Sequence, residues 1–446
     1  MRGFATHRTV EGAECASPGA ATTVPPFPRR SQPGVAVPTQ DAPTGERPFR
    51  RALEAGPVEV LADHLTEDVI SVRLVTDASG VATAVWEQGT QILAARTTRD
   101  GEWGEPVGLA FGRDPQAAVD GPGRVTVVYH RLHGRGVVSR RWEAGRWEQP
   151  TDLTWSHHAG AFHTQGARLA VNERGDTIVA WGQKNGRVDW AEPRRLVAAF
   201  RPHDGEWQPT VRLARRGMPD TVDLDDEGRA VVLSDSLLQR RTTRGHWRRP
   251  LAAVTSADLG VAVGNGRGDL LVVGLDGKDE DQPVRVHEHT AAGSWLLPVE
   301  LGTTRWTTTT VPAVLDADRR AAVAFPVVDG PVAVATRPSG GRWSAPEVVS
   351  ARGVRARLPR LAAAPDGGLA LLWTQGVPAE PELWAALRPA GQGWSEPVQV
   401  TGPEWIWVTE PTLSLAPDGS ALVVWVGEPT INPWTRLASR RLSLAD

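Results

Sequence analysis

Two histidine-rich segments hold the residues best suited to chemistry in this chain. HRLHGRG carries His130 and His133, and TWSHHAGAFHTQG carries His157, His158 and His163. Imidazoles drawn from both segments would offer three or more nitrogens to one zinc, nickel or copper ion, with Asp189 or Glu192 adding oxygen. The spacing follows no established metal signature, so His130, His133, His157 and His158 are weak metal candidates and no cofactor is expected. Paired carboxylates would instead serve glycoside hydrolysis, which needs two of them roughly 5–5.5 Å apart for retention or roughly 6.5–9.5 Å for inversion. Asp189, Glu192, Asp276, Asp279, Asp281, Asp329, Glu380, Glu382, Glu404, Glu410 and Glu428 are too many to single out a pair. Serine catalysis finds no support, since no Gly-x-Ser-x-Gly elbow occurs, and cysteine catalysis fails because the single cysteine, Cys15, lies in a Pro-rich arm. The single tyrosine, Tyr129, ends an apolar strand and is a poor nucleophile. GNGRGD (264–269) precedes a strand where a dinucleotide fingerprint needs a helix, so it reads as a hairpin turn.

These residues need a scaffold, and a repeat supplies it. A Gly-x-Trp-x-x-Pro phrase recurs with small variations at Trp103, Trp147, Trp207, Trp247, Trp295, Trp343 and Trp394, roughly 40 to 60 residues apart. A period of that size means one supersecondary unit repeated. Each unit opens with a short apolar strand and a turn such as DASG (77–80), DGPG (120–123), NERG (172–175) or DDEG (225–228). Asp, Asn and Gly suit such turns because they tolerate positive φ or cap their own backbone. A near-continuous apolar strand follows, as in VATAVW, TIVAW and ALVVW, the pattern of a strand buried on both faces. A third strand alternates, and the Trp-x-x-Pro strand comes last, where a missing ladder donor is tolerated on an edge.

Four antiparallel strands per unit make a β-propeller blade. The last unit stops after its third strand, while GPVEVLAD (56–63) ahead of the first unit looks like an orphan fourth strand. That strand is expected to complete the C-terminal blade and close the ring. The expectation is therefore an all-β chain with eight four-stranded blades. The short, weakly patterned unit around Ser234 makes seven the alternative.

The DxxGxxxxxW and GxWsxP phrases over about 56–446 resemble the repeat of actinobacterial Trp-rich β-propeller proteins. More distantly they are similar to the Asp-box propellers of the sialidase superfamily. Here the Asp-to-Gly spacing is one residue longer and the preceding Ser/Thr is mostly absent. The resemblance implies architecture and carries no activity.

The fold sorts the 19 tryptophans. The seven of the phrase, with Trp86, Trp181, Trp373 and Trp425 at second-strand ends, recur at fixed positions and are assigned to packing between blades. Trp155, Trp306, Trp405 and Trp407 fall in blade-to-blade connectors, and Trp190, Trp384 and Trp434 fall in or beside second-to-third-strand loops. In a propeller both kinds of loop emerge on one face, and most of the histidines map there too. Only Trp142 sits inside a third strand. Trp155, His157, His158, His163, Trp190, Trp306, Trp405 and Trp407 are thus the expected ligand-binding residues.

The remaining features set bounds. A net charge of −3 gives no basic field for nucleic acid or an anionic membrane. No apolar run is long enough to span a bilayer, and no continuous apolar segment marks a secretory signal. A cytoplasmic monomer is expected, or a secreted one if the start is misassigned. Residues 1–50 are rich in Pro, Ala, Thr and Arg and are expected to be disordered, with 51–446 the propeller. The function expected is a non-catalytic binding or scaffolding module for a protein or carbohydrate partner. The alternative is a glycan-active enzyme of sialidase-like type with its site in the axial mouth.

Overall fold

The structure is a computed structural model. It describes residues 51–65, 67–132, 136–154, 162–185, 195–234, 237–252, 258–275, 280–305, 311–328, 330–351, 354–377, 380–430 and 434–445. Chain contacts separate Met1–Pro48 from Phe49–Asp446. The arm expected to be disordered, 1–50, lies outside the described residues.

Among the described residues the named elements are all strands, paired antiparallel in six four-stranded sheets and one eight-stranded sheet. The larger sheet is two units run together. Val107–Val119 pairs with Gln91–Arg96 through its first half and with Val125–Arg131 through its second. Taken apart, these give eight blades, numbered here by their inner strands. These are Val69–Thr76, the second half of Val107–Val119, Phe162–Val171, Thr221–Leu224, Asp258–Gly264, Ala313–Leu315, Arg357–Ala363 and Trp405–Leu415. Inner strands neighbour one another in that order, and blade 8 neighbours blade 1, so the blades run round a common axis. The fold is a β-propeller. The weakly patterned unit around Ser234 forms blade 4, a four-stranded sheet of short strands.

Blade 8 takes its outer strand from the opposite end of the unit. Leu53–Leu65 lies antiparallel on Thr435–Leu444, from Leu53 opposite Leu444 to Leu65 opposite Thr435. The strand runs further at both ends than the 56–63 read from sequence. Arg440 Nε donates to the Gly56 carbonyl at 2.6 Å, and Arg436 Nε meets Asp63 at 2.7 Å, so side chains reinforce the ladder.

Each seam between neighbouring blades holds one cluster of buried apolar side chains. This explains the continuous apolar second strands. In blade 1, Ala84 and Trp86 enter the seam with blade 8, while Val85 enters the seam with blade 2. The phrase tryptophans pack into the seam with the preceding blade. Trp103 donates its indole N–H to Ser439 Oγ at 2.9 Å, and Trp343 donates to Glu288 Oε1 at 3.0 Å. Only the seam between blades 7 and 8 lacks one, because the outer strand of blade 8 comes from Leu53–Leu65; Trp405 belongs to that cluster.

The face opposite the connectors is stitched by its turns. Asp120 accepts Arg124 N at 2.7 Å and Arg124 Nε at 2.6 Å, and Arg124 Nη2 reaches the Arg174 carbonyl in the next blade's turn at 2.8 Å. Asp316 and Arg320 repeat this at 2.8 and 2.6 Å, with Arg320 Nη2 on the Pro365 carbonyl at 2.7 Å. These arginines are occupied in joining blades.

Candidate functional site at the axial mouth

Five inner strands carry an irregularity at one common position near their connector end. The register with the second strand shifts between Ile70 and Arg73, Arg113 and Gln116, Gln165 and Arg168, Arg357 and Arg360, and Thr409 and Thr412. Inside each shift sits a left-handed residue: Ser71 (φ 54°), Asp114 (50°), Gly166 (64°), Leu358 (48°) and Glu410 (48°). A β-bulge of this kind adds one residue and re-aims the side chains around it. Four of the five are not glycine, so each costs about 1 kcal/mol of backbone strain. In blades 2, 7 and 8 the next residue is proline (Pro115, Pro359, Pro411), which a bulge tolerates because no ladder N–H is needed there.

In four of the five bulges the closing residue turns its side chain back on the strand. Arg73 Nη1 donates to the Val72 carbonyl at 3.1 Å, Gln116 Nε2 to Pro115 at 2.9 Å, Arg168 Nη1 to Ala167 at 3.1 Å and Arg360 Nη1 to Pro359 at 3.3 Å. Charges then alternate across blades 7, 8, 1, 2 and 3 as Arg360, Glu410, Arg73, Asp114 and Arg168. Arg73 Nη2 lies 3.8 Å from Asp114 Oδ1 and also feels Glu410 and Arg168, while Arg360 feels Glu410 and Arg73. Burial holds the Arg73 and Arg360 guanidiniums below their ordinary pKa despite these carboxylates. Both remain charged at neutral pH, since a guanidinium starts so high.

Behind this arc lies a buried polar chain. Glu87 Oε2 accepts the Asp114 backbone N–H at 2.7 Å, and burial, with Asp114 adding to it, raises the Glu87 pKa. His130 is buried, with Nε2 accepting the Ala167 N–H at 3.3 Å; Nδ1 therefore carries the proton and donates to Thr164 Oγ1 at 2.8 Å. Desolvation pushes His130 down to about 4. Both nitrogens of this weak metal candidate are engaged within the protein. Among the described residues no group of three or more His, Cys, Asp or Glu is arranged to hold a metal ion.

The expected ligand-binding residues divide. Trp155, His157, His158, Trp190 and Trp306 lie outside the described residues, as does His133. His163 falls in the inner strand of blade 3, opposite Lys184. Trp405 and Trp407 share the inner strand of blade 8 with Glu410 but differ in surroundings. Trp405 is 8% exposed and packs edge-on to Trp425, with centroids 5.4 Å apart. Trp407 is 43% exposed.

A local device explains the burial of Trp405. In three other blades the second-strand indole donates to a glutamine two residues on: Trp86 to Gln88 at 3.4 Å, Trp181 to Gln183 at 3.1 Å and Trp373 to Gln375 at 3.0 Å. Blade 8 has Gly427 instead, where a Cβ would sit 2.8 Å from the Trp405 ring. Trp405 therefore occupies space that a side chain at 427 would fill. Trp384, expected beside a loop, lies inside the third strand Glu380–Arg388 and donates to Glu382 Oε2 at 2.9 Å. Asp281 faces Arg305 at 3.1 Å. Among the described carboxylates proposed from sequence, Glu410 alone falls on one of these five bulges.

Nothing in the repeat pattern singles out Arg73, Asp114, Arg168 or Arg360. Their signal was an Xaa-Pro or small-residue step before the first apolar strand, as in DPQAAVD, LPRLAAA and EPTLSLA.

No protein-family model matches the chain, and neither does any curated protein. Some solved structures are similar to it at low identity. A lectin from Burkholderia pseudomallei is 13% identical with a TM-score of 0.48, over 79% of this chain and 100% of that one. A polysaccharide lyase is 8% identical with a TM-score of 0.45, over 84% and 90%. An intramolecular trans-sialidase from Ruminococcus gnavus is 11% identical with a TM-score of 0.38, over 74% and 94%. At these scores the likeness transfers no site residue, ligand or activity.

Proposed function

We propose that the protein is a monomeric, non-catalytic binding propeller that receives a carbohydrate or protein partner at the axial mouth of its connector face. The observation that carries this reading is the run of inner-strand bulges. Strained non-glycine residues at one register position in four blades need a reason, and turning polar side chains toward the axis supplies it. Trp407, exposed on the same strand as Glu410, adds a flat apolar surface. The opposite face offers less, since its turn arginines and aspartates are bound to one another.

The alternative, a glycan-active enzyme in the same mouth, draws on Glu87, whose raised pKa suits a general acid. Glu87 is only 7% exposed and already accepts the Asp114 N–H, which keeps it from a bound sugar. Binding is therefore the better-supported reading. A glycan array and a pull-down from the native host, each run with wild type and with Trp407→Ala, test it. Partners lost on Trp407→Ala support the reading, and partners retained at full strength by that variant and by Arg73→Ala overturn it.

A further inference from the structure

Resting on that reading, we propose that the ligand at the axial mouth is an acidic saccharide, a hydroxyl-rich molecule with an isolated carboxylate. Arg168 receives the carboxylate, and Asp114 and Glu410 accept hydroxyls.

The argument begins with Arg168. Its Nε donates to the Asp220 carbonyl and its Nη1 to the Ala167 carbonyl, both at 3.1 Å. Two bonds to the backbone fix the plane of the guanidinium, and among the described residues no carboxylate lies within ion-pair distance of it. A guanidinium held rigid and left without a counter-charge is an anion receptor in waiting, and its planar fork matches a carboxylate. Arg113, exposed on the neighbouring inner strand, adds a second positive charge, and both arginines act on buried His130.

The carboxylates decide what else the ligand must be. Asp114 stands between Arg73 and Arg168 in the order of blades, and Glu410 stands between Arg360 and Arg73. A polyanion such as a nucleic acid or an acidic peptide would meet repulsion at both. A polyol gains from them, because each hydroxyl is a donor in need of an acceptor, and carboxylates accept such bonds strongly. One anionic group with several hydroxyls satisfies Arg168 and the two acidic residues together. Trp407, exposed on the strand of Glu410, suits the apolar face of a pyranose ring.

The test is calorimetric titration of the full chain with a panel of uronate oligosaccharides, their methyl esters and a hexa-aspartate peptide. Saturable binding of a uronate oligosaccharide is expected, weakened roughly tenfold or more by esterification and by Arg168→Gln. Arg168→Lys, which keeps the charge and loses the fork, should fall between Arg168→Gln and wild type. Thermal unfolding of each variant checks that the fold is retained. Equal binding of esters and acids, or indifference to Arg168→Gln, overturns the inference. Binding of the peptide without any uronate oligosaccharide overturns it in favour of an acidic protein segment. If a neutral glycan binds in a manner dependent on Trp407 but not on Arg168, the acidic-saccharide inference falls and the binding-propeller reading stands. If nothing in the panel binds and the array is also blank, both fall.

Discussion

The inner strands of blades 7, 8, 1, 2 and 3 and those of blades 4, 5 and 6 stand round the same axis, yet they do different things with it. The first group bulges and brings three arginines, a glutamine, an aspartate and a glutamate into one arc. In the second group, blades 4 and 6 pair Thr221–Leu224 and Ala313–Leu315 with their second strands without any shift of register. Blade 5 does shift, between Leu259 and Val261, but closes the shift with valine. One repeat thus yields both a plain wall and a candidate site, and the difference is an extra residue in the strand with a polar side chain after it. The seams, by contrast, each hold a buried apolar cluster all round the ring, seven of the eight with a phrase tryptophan, so packing is spread round the axis while the bulged polar residues gather on one side.

The sharpest way to break this contrast lies within blade 8, where a buried tryptophan and an exposed one, the proposed ligand contact, share one strand. Trp405→Ala should lower the unfolding free energy by about 3–5 kcal/mol, the usual loss for a buried tryptophan. Trp407→Ala should cost about 1 kcal/mol or less and still abolish ligand binding. Equal losses in denaturant titrations of the two variants would refute the division.

A second, slightly smaller effect belongs to the charged side. His130 has a folded pKa of about 4, below its ordinary 6.5, so between those values the unfolded chain binds more protons. Its contribution to stability is full above about pH 6.5 and is lost as pH falls to about 4, by roughly 3 kcal/mol in all. Unfolding curves of His130→Gln across that window should show a flatter slope than wild type. An unchanged slope would mean that His130 is not held neutral.

On the plain side the sign reverses. Asp223, buried on the inner strand of blade 4, is pushed up from 3.8 to about 6 by desolvation. A raised carboxyl favours the fold below its ordinary pKa and loses that advantage as pH rises through the folded value. Asp223→Asn should therefore stabilise by about 2 kcal/mol at pH 7 and change little at pH 3. Destabilisation at pH 7 would show that the ionised carboxylate is needed. The smallest effect concerns the bulges themselves. Ser71→Gly and Leu358→Gly should each gain about 0.5–1 kcal/mol by relieving positive φ, whereas Thr221→Gly in an unshifted strand should lose about 1 kcal/mol. The same sign at all three positions would remove backbone strain as the distinguishing feature.

The parts legible in the sequence were those that repeat. The Trp-x-x-Pro period marked the outer strands, the doubly buried second strands marked the seams, and the unpaired GPVEVLAD segment pointed to the sheet it joins. The arc was harder to see because a bulge is a relation between two strands, and no single strand displays it. Asp114-Pro115 and Glu410-Pro411 look like ordinary turn signals until the register is known. Trp405 stands out as a ligand candidate in the sequence because it breaks the repeat. Its burial depends on the absence of a side chain at Gly427, a cue twenty-two residues away in the chain.

The pairing of Leu53–Leu65 with Thr435–Leu444 has a consequence for timing. During synthesis the first strand leaves the ribosome long before its partner exists, so blade 8 is the last to be assembled. The charged arc crosses the junction of blades 8 and 1, where Glu410 and Arg73 stand. No partly made or nicked chain that lacks this junction would hold the complete arc. Ligand capture would then report that the whole ring has been finished, and an assay for it would double as an assay for maturation.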